Sequence, residues 1–176
     1  MYTNIKKKIN TAGHRRLRSI KKKSLLVSNL ICGKITNPSF SVPSSSSALP
    51  IQLARLCVGT KKLINPVINI SYTNFTLVEL NGILQRVSLT YTLTRESKEN
   101  GEIVTLKQWQ SLNSIAEGRL SCNIPLAVQF CDEVKNYNAN KLIYKINVAS
   151  VQMTAGSNLK ISSKDYTALV SESKAI

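Results

Sequence analysis

Polar and apolar residues alternate over twelve positions near the middle of the chain, from Ile83 to Thr94. The odd positions are apolar except for one glutamine, and most even positions are polar or basic. A period of two puts each set on its own face of a β-strand, whereas a helix would scatter both sets around its axis. The set predicted to face the core is Ile83, Gln85, Val87, Leu89, Tyr91 and Leu93.

Shorter alternations predict further strands on both sides of this one. They cover 51–58, 67–80 with a bend near 73, 102–110, 119–130, 142–148 and 159–170. Asn81-Gly82 is a typical hairpin turn. The sequence therefore predicts an all-β fold, a jelly roll or β-sandwich of about eight antiparallel strands.

Three segments interrupt this pattern and carry their own expectations. Residues 111–118 are predicted to hold a short helical turn. Pro125 is expected to break or bend its strand, because proline cannot donate to a β-ladder. Asp132 and Glu133, beside Lys135, are expected to form a solvated loop with no catalytic pairing.

Charge divides the chain in two. The chain carries 24 Lys and Arg against 9 Asp and Glu, a net charge of +15, and residues 1–50 contain ten of the basic residues and no acid. Such a block resists collapse, and the serine-rich stretch after it is typical of a linker. We therefore predict two domains, a flexible basic N-terminal arm, connector and linker at 1–50 and a β-sandwich at 51–176.

Most catalytic and membrane-spanning classes are disfavoured. No apolar run approaches the ~20 residues of a membrane-spanning helix, and the single histidine, His14, lies in the basic block. The glycines are isolated, so no phosphate-binding loop is present. We predict a protein that is not an enzyme and that has no catalytic residue, cofactor or metal site.

The four cysteines leave two interpretations open. Cys32, Cys57, Cys122 and Cys131 are separated by 25, 65 and 9 positions, which is not a zinc pattern. They are either four reduced, partly buried thiols or candidates for disulfides between subunits. In the second interpretation Cys32 reaches a neighbouring subunit when a strand-forming segment at 30–36 adds to an exposed sheet edge.

Several segments of the body are similar to one family. They are an Asn-Pro before an early strand at 63–70, an apolar strand ending in Phe-Cys-Asp at 126–132, and closing strands at 144–148, 159–161 and 166–170. In these segments the chain resembles the endospore-appendage-type jelly-roll subunits of spore-forming bacteria. The likeness covers 51–172, roughly 70% of the chain, in strand order more than in identity.

The resemblance implies a non-enzymatic subunit that assembles into fibres on the spore surface. Such subunits stack edge to edge by strand addition, and an N-terminal connector bonds covalently to earlier subunits. It also implies that Cys32 is the connector cysteine and that its bonding partner is Cys57, Cys122 or Cys131. The expected partner is a second copy of the chain.

A basic, acid-free arm before a jelly roll also fits a second function. Small capsid proteins use such arms to bind the genome, and cationic side chains bind phosphates without sequence preference. In this alternative the protein belongs to a virion. The nucleic-acid contacts would be Lys6, Lys7, Lys8, Arg15, Arg16, Arg18, Lys21, Lys22 and Lys23.

Overall fold

A computed structural model describes residues 28–42, 49–61, 63–81, 83–115, 118–135, 140–155 and 157–172. These residues form strands joined by turns. The strands are β1 (Asn29–Cys32), β2 (Lys34–Ile35), β3 (Ser39–Val42), β4 (Ile51–Gly59), β5 (Pro66–Asn81), β6 (Gln85–Ser97), β7 (Ile103–Ile115), β8 (Arg119–Glu133), β9 (Lys141–Met153) and β10 (Asn158–Glu172). Within the described part of the chain, no helix is long and apolar enough to cross a membrane.

The strands form two antiparallel sheets. Sheet A has the order β1-β10-β5-β8, with β3 also pairing with β10, and sheet B has the order β2-β4-β9-β6-β7. Most neighbours are distant in sequence, as in β10 with β5 and β9 with β4. The predicted all-β sandwich or jelly roll is confirmed.

The core lies between the two sheets and follows the alternation of the sequence. Val87, Leu89, Tyr91 and Leu93 on β6 are buried, and β6 pairs with β7 on one side and β9 on the other. The interior position predicted for these four side chains is therefore confirmed. Ile83 is 70% exposed, so its predicted inward position was wrong. It precedes the first residue of β6 and lies outside the regular alternation.

Three local expectations are corrected. Residues 111–115 continue β7, so the helical turn predicted there was wrong for the described part of that segment. β8 runs without a break through Pro125, and β5 runs unbroken from Pro66 to Asn81. Pro125 is tolerated because β8 is an edge strand, where a missing N–H donor need not cost a ladder bond.

Residues 29–42, here called the N-terminal strap, lie along one side of the sandwich. β1 and β3 pair with β10 in sheet A, and β2 between them pairs with β4 in sheet B. Gly33 lies between β1 and β2, where the strap crosses from sheet A to sheet B. The strap passes close to β10 there, because the Gly33 N–H donates to the Tyr166 carbonyl oxygen at 2.6 Å. A Cβ at position 33 would lie 2.6 Å from Tyr166 Cδ1. The strap thus joins part of the predicted arm to strands of the body, while residues 1–27 lie outside the described residues.

Candidate assembly interface on sheet A

The candidate interface starts from where the fold puts the four cysteines. Cys32 and Cys131 are exposed, whereas Cys57 and Cys122 are partly buried. Cys122 packs against the core. Only the first pair therefore combines a free thiol with open access.

Cys32 and Cys131 lie on the same outer face of sheet A. The register joins Leu30, Leu169, Asn69 and Cys131 in one row across the sheet. Cys32 lies two positions further along β1 than Leu30, opposite Thr167, so it belongs to the next row that faces the same way. Directly opposed residues in a sheet point to the same side, so both thiols face outward on one surface.

The two thiols lie on opposite edge strands of that surface. Cys32 is on β1 and Cys131 is on β8, with β10 and β5 between them. Three strand spacings amount to about 14 Å, whereas a disulfide needs Cα atoms about 4.4–6.8 Å apart. The two cysteines are therefore too far apart to bond within one chain in this fold.

A groove of about 570 Å³ crosses the face between these edges. Its lining includes Leu30, Leu169, Thr167, Gln129 and Cys131. Leu30 is 68% exposed and Leu169, directly opposite it, is 43% exposed. These two adjacent leucines make the β1 side of the groove apolar, and Asn69 lies between Leu169 and Cys131 in the same row.

A buried ionic cluster fixes the end of β8 that carries Cys131. Arg95 on β6 donates through one nitrogen to both Asp132 carboxylate oxygens, at 3.0 and 2.8 Å. Tyr144 on β9 donates its hydroxyl hydrogen to the same carboxylate at 2.7 Å. Burial, followed by the charge of Asp132, raises the pKa of Tyr144 well above its usual value. The cluster ties β8 of sheet A to two strands of sheet B.

The solvated loop expected at Asp132 was therefore wrong. The Asp132 side chain is 8% exposed, whereas that of Glu133, paired with Lys135 at 3.4 Å, is 62% exposed. The strand extends through both residues, and its alternation turns the first inward and the second outward. The sequence does contain a signal for this burial. Asp132 lies two positions after Phe130 and two before Val134, and both of these residues are apolar.

Further buried tyrosines place polar groups between the sheets. The Tyr91 hydroxyl lies 3.0 Å from Thr76 Oγ1 across the sandwich, and the Tyr72 hydroxyl lies 2.9 Å from Ser163 Oγ. The hydroxyl of Tyr166 is buried with no hydrogen-bond partner in the described part of the chain. Desolvation raises the pKa of all three phenols. These groups are held neutral in a closed interior.

The other predicted site residues are not brought together. The basic residues at 6–23 and His14 lie outside the described residues, so the nucleic-acid contacts stay a prediction. Among the described residues, no cluster of histidine, cysteine and acidic side chains could hold a metal ion. The roles of the four cysteines and the domain boundary at residue 50 also stay predictions.

Comparisons with known proteins do not assign the chain to a family. No family model matches it, and no curated protein matches it. The resemblance to endospore-appendage subunits therefore stays a prediction.

Solved structures give distant similarities. A structure of Eiger TNF from S. frugiperda is 15% identical over 86% of this chain and 95% of that chain, with a TM-score of 0.40. A structure of the infectious bursal disease virus Gt strain is 12% identical over 84% of this chain and 33% of that chain, with a TM-score of 0.42. One described as "CBM4 structure and function" is 8% identical over 81% of this chain and 94% of that chain, with a TM-score of 0.30. Similarity at this level says nothing about what the chain binds.

Proposed function

We propose that the chain is a non-enzymatic structural subunit that assembles with copies of itself into a fibre at a spore or cell surface. The observation that carries the proposal is the pair of exposed cysteines on opposite edge strands of one face. A contact between two different edges leaves both free edges exposed again on the product, so it propagates in an open chain.

Strand direction supports this head-to-tail contact. β1, β10, β5 and β8 alternate in direction, so β1 and β8 run in opposite senses. A neighbour's β8 placed beside β1 is therefore antiparallel to it, which is the pairing that strand addition uses.

Two thiols at this contact can form a disulfide when an oxidant in the surroundings accepts their two electrons and two protons. In the unshifted alignment the neighbour's Cys131 continues the row of Leu30. Moving the neighbour by two residues along the strands sets its Cys131 opposite Cys32, with both sulfurs on the outer face. The carboxyl-terminal half of β8 is the half that contains Cys131, and Pro125 lies before it. Strand addition there needs no N–H from the proline.

The test starts from a Cys57→Ser, Cys122→Ser variant, which keeps Cys32 and Cys131, and from two further variants that keep only one of these two cysteines. Under an oxidant, the chain that keeps both Cys32 and Cys131 should give a ladder on non-reducing gels, and reductant should collapse it. Cys32→Ser or Cys131→Ser alone should stay monomeric, while an equimolar mixture of the two should stop at the dimer. A dimer from either single variant alone would mean a symmetric bond and would refute the head-to-tail contact.

Nucleic-acid binding by the arm is the second candidate function, carried by ten basic residues in the first 50 with no acid. Counterion release would make such binding strongly salt-dependent and indifferent to sequence. Binding of a random oligonucleotide that weakens steeply with salt would support it. Assembly that requires the oligonucleotide and is unaffected by Cys32→Ser would put this function first.

A further inference from the structure

The edge of sheet B offers a second, different surface. β7 is 13 residues long, and among the described residues it pairs only with β6. Backbone N–H and C=O groups on its other side are therefore open to another strand. Its single charged residue is Lys107 and it contains no proline, whereas β8, an edge strand of sheet A, contains Pro125. β7 is the less protected edge.

Three of the six residue pairs at equal distances from Trp109, the midpoint of β7, are identical. Gln108 and Gln110 flank the tryptophan, and leucines and isoleucines follow at equal distances on both sides. The matching pairs are Leu106 with Leu112 and Ile103 with Ile115. When two identical strands pair antiparallel about a two-fold axis, each residue faces the one equally far beyond the axis on the other copy.

We propose that β7 pairs with β7 of a second copy about a two-fold axis at Trp109. The regular part of the contact is 107–111, because Leu106 is an extra residue in a β-bulge opposite Leu93 and Thr94. Across the axis Lys107 faces Ser111, Gln108 faces Gln110, and Trp109 faces its own copy. The two five-stranded sheets become one continuous sheet.

Charge and exposure favour this register. An axis at Lys107 would set two lysines directly opposite each other, which is unfavourable, whereas the axis at Trp109 sets each lysine against a serine. Gln108 and Gln110 are exposed, and the partly buried Trp109 packs on the core. The contact uses sheet B and no cysteine, so it is independent of the proposed fibre contact and persists in reductant.

The test compares two double variants that differ only in charge pattern. Gln108→Lys with Gln110→Lys sets like charges opposite each other across the axis, while Gln108→Lys with Gln110→Glu sets opposite charges there. Both lose the bond from Gln110 to Ser88 Oγ, so they are matched in that cost. The like-charged variant should dimerise about tenfold or more weakly than the other.

Sedimentation velocity of the full chain in reductant measures the dimer. Trp109 is the only tryptophan, so acrylamide quenching of its fluorescence reports burial at the axis. Wild type and the opposite-charge variant should sediment as dimers and show reduced quenching. The like-charged variant should sediment as a monomer, and its circular dichroism spectrum should show that it is folded. A monomeric wild type, or two variants that behave alike, would overturn the proposal.

Discussion

Replacing Asp132 with alanine removes the acceptor that holds β8 to sheet B. The carboxylate accepts two hydrogen bonds from Arg95 and one from Tyr144, and the side chains of Asp132 and Arg95 are 8% and 17% exposed. Breaking a buried ion pair by removing one partner costs about 3–5 kcal/mol. Since Arg95 keeps some contact with water, we expect the lower end, about 3 kcal/mol.

The neighbouring acid supplies the control. Glu133→Ala removes an exposed carboxylate from a pair with Lys135, which should change the free energy of unfolding by less than about 0.5 kcal/mol. Urea unfolding of both variants, followed by far-ultraviolet circular dichroism, measures the difference. A loss below about 1 kcal/mol for Asp132→Ala, or equal losses for both, would refute the buried cluster.

Three further predictions concern the core, the strap and the buried phenols. Leu89→Ala should lower the free energy of unfolding by about 2–5 kcal/mol by leaving a cavity, and a loss typical of an exposed site would contradict its burial. Gly33→Ala should speed hydrogen exchange at 29–42, because the new Cβ meets Tyr166; unchanged exchange would argue against the close crossing. Burial raises the pKa of the core tyrosines, so the folded state favours their neutral form. Their contribution to the stability of the fold is complete below the unfolded-state pKa near 10. It is lost above that pH, by up to about 1.4 kcal/mol per pH unit for each phenol. Tyr166→Phe should lessen the loss of stability at alkaline pH and should cost nothing at pH 7, because its hydroxyl has no hydrogen-bond partner in the described part of the chain. Tyr144→Phe should lower stability at pH 7, because it removes the hydrogen bond to Asp132. Equal stabilities of the two variants at pH 7 would count against that hydrogen bond.

Much of the fold could be predicted because strands carry a local signal. The alternation around Leu89 fixed both the strand and its buried face. The run at 111–115 lacks such a regular alternation, and only pairing with β6 identifies it as strand. The end of β8 was missed for a similar reason, since the partner of Asp132 lies 37 residues away.

The candidate interface was only partly accessible from sequence. The four cysteines were identified as a set, but their spacing does not say which two share a face. That depends on β10 and β5 lying between β1 and β8, a consequence of long-range strand order. The neighbouring Leu30 and Leu169 were missed because 139 positions separate two residues that the register sets directly opposite each other.

In the proposed fibre, Cys32 of one subunit bonds to Cys131 of the next. The most direct measurement is peptide mapping by mass spectrometry of oxidised oligomers grown from an equal mixture of ¹⁴N- and ¹⁵N-labelled chains. We predict a disulfide-linked peptide pair that joins Cys32 to Cys131 and carries mixed isotopes, which only a bond between chains can produce. Cys32 linked to another cysteine, or a Cys32–Cys131 pair of uniform isotope composition, would contradict the claim.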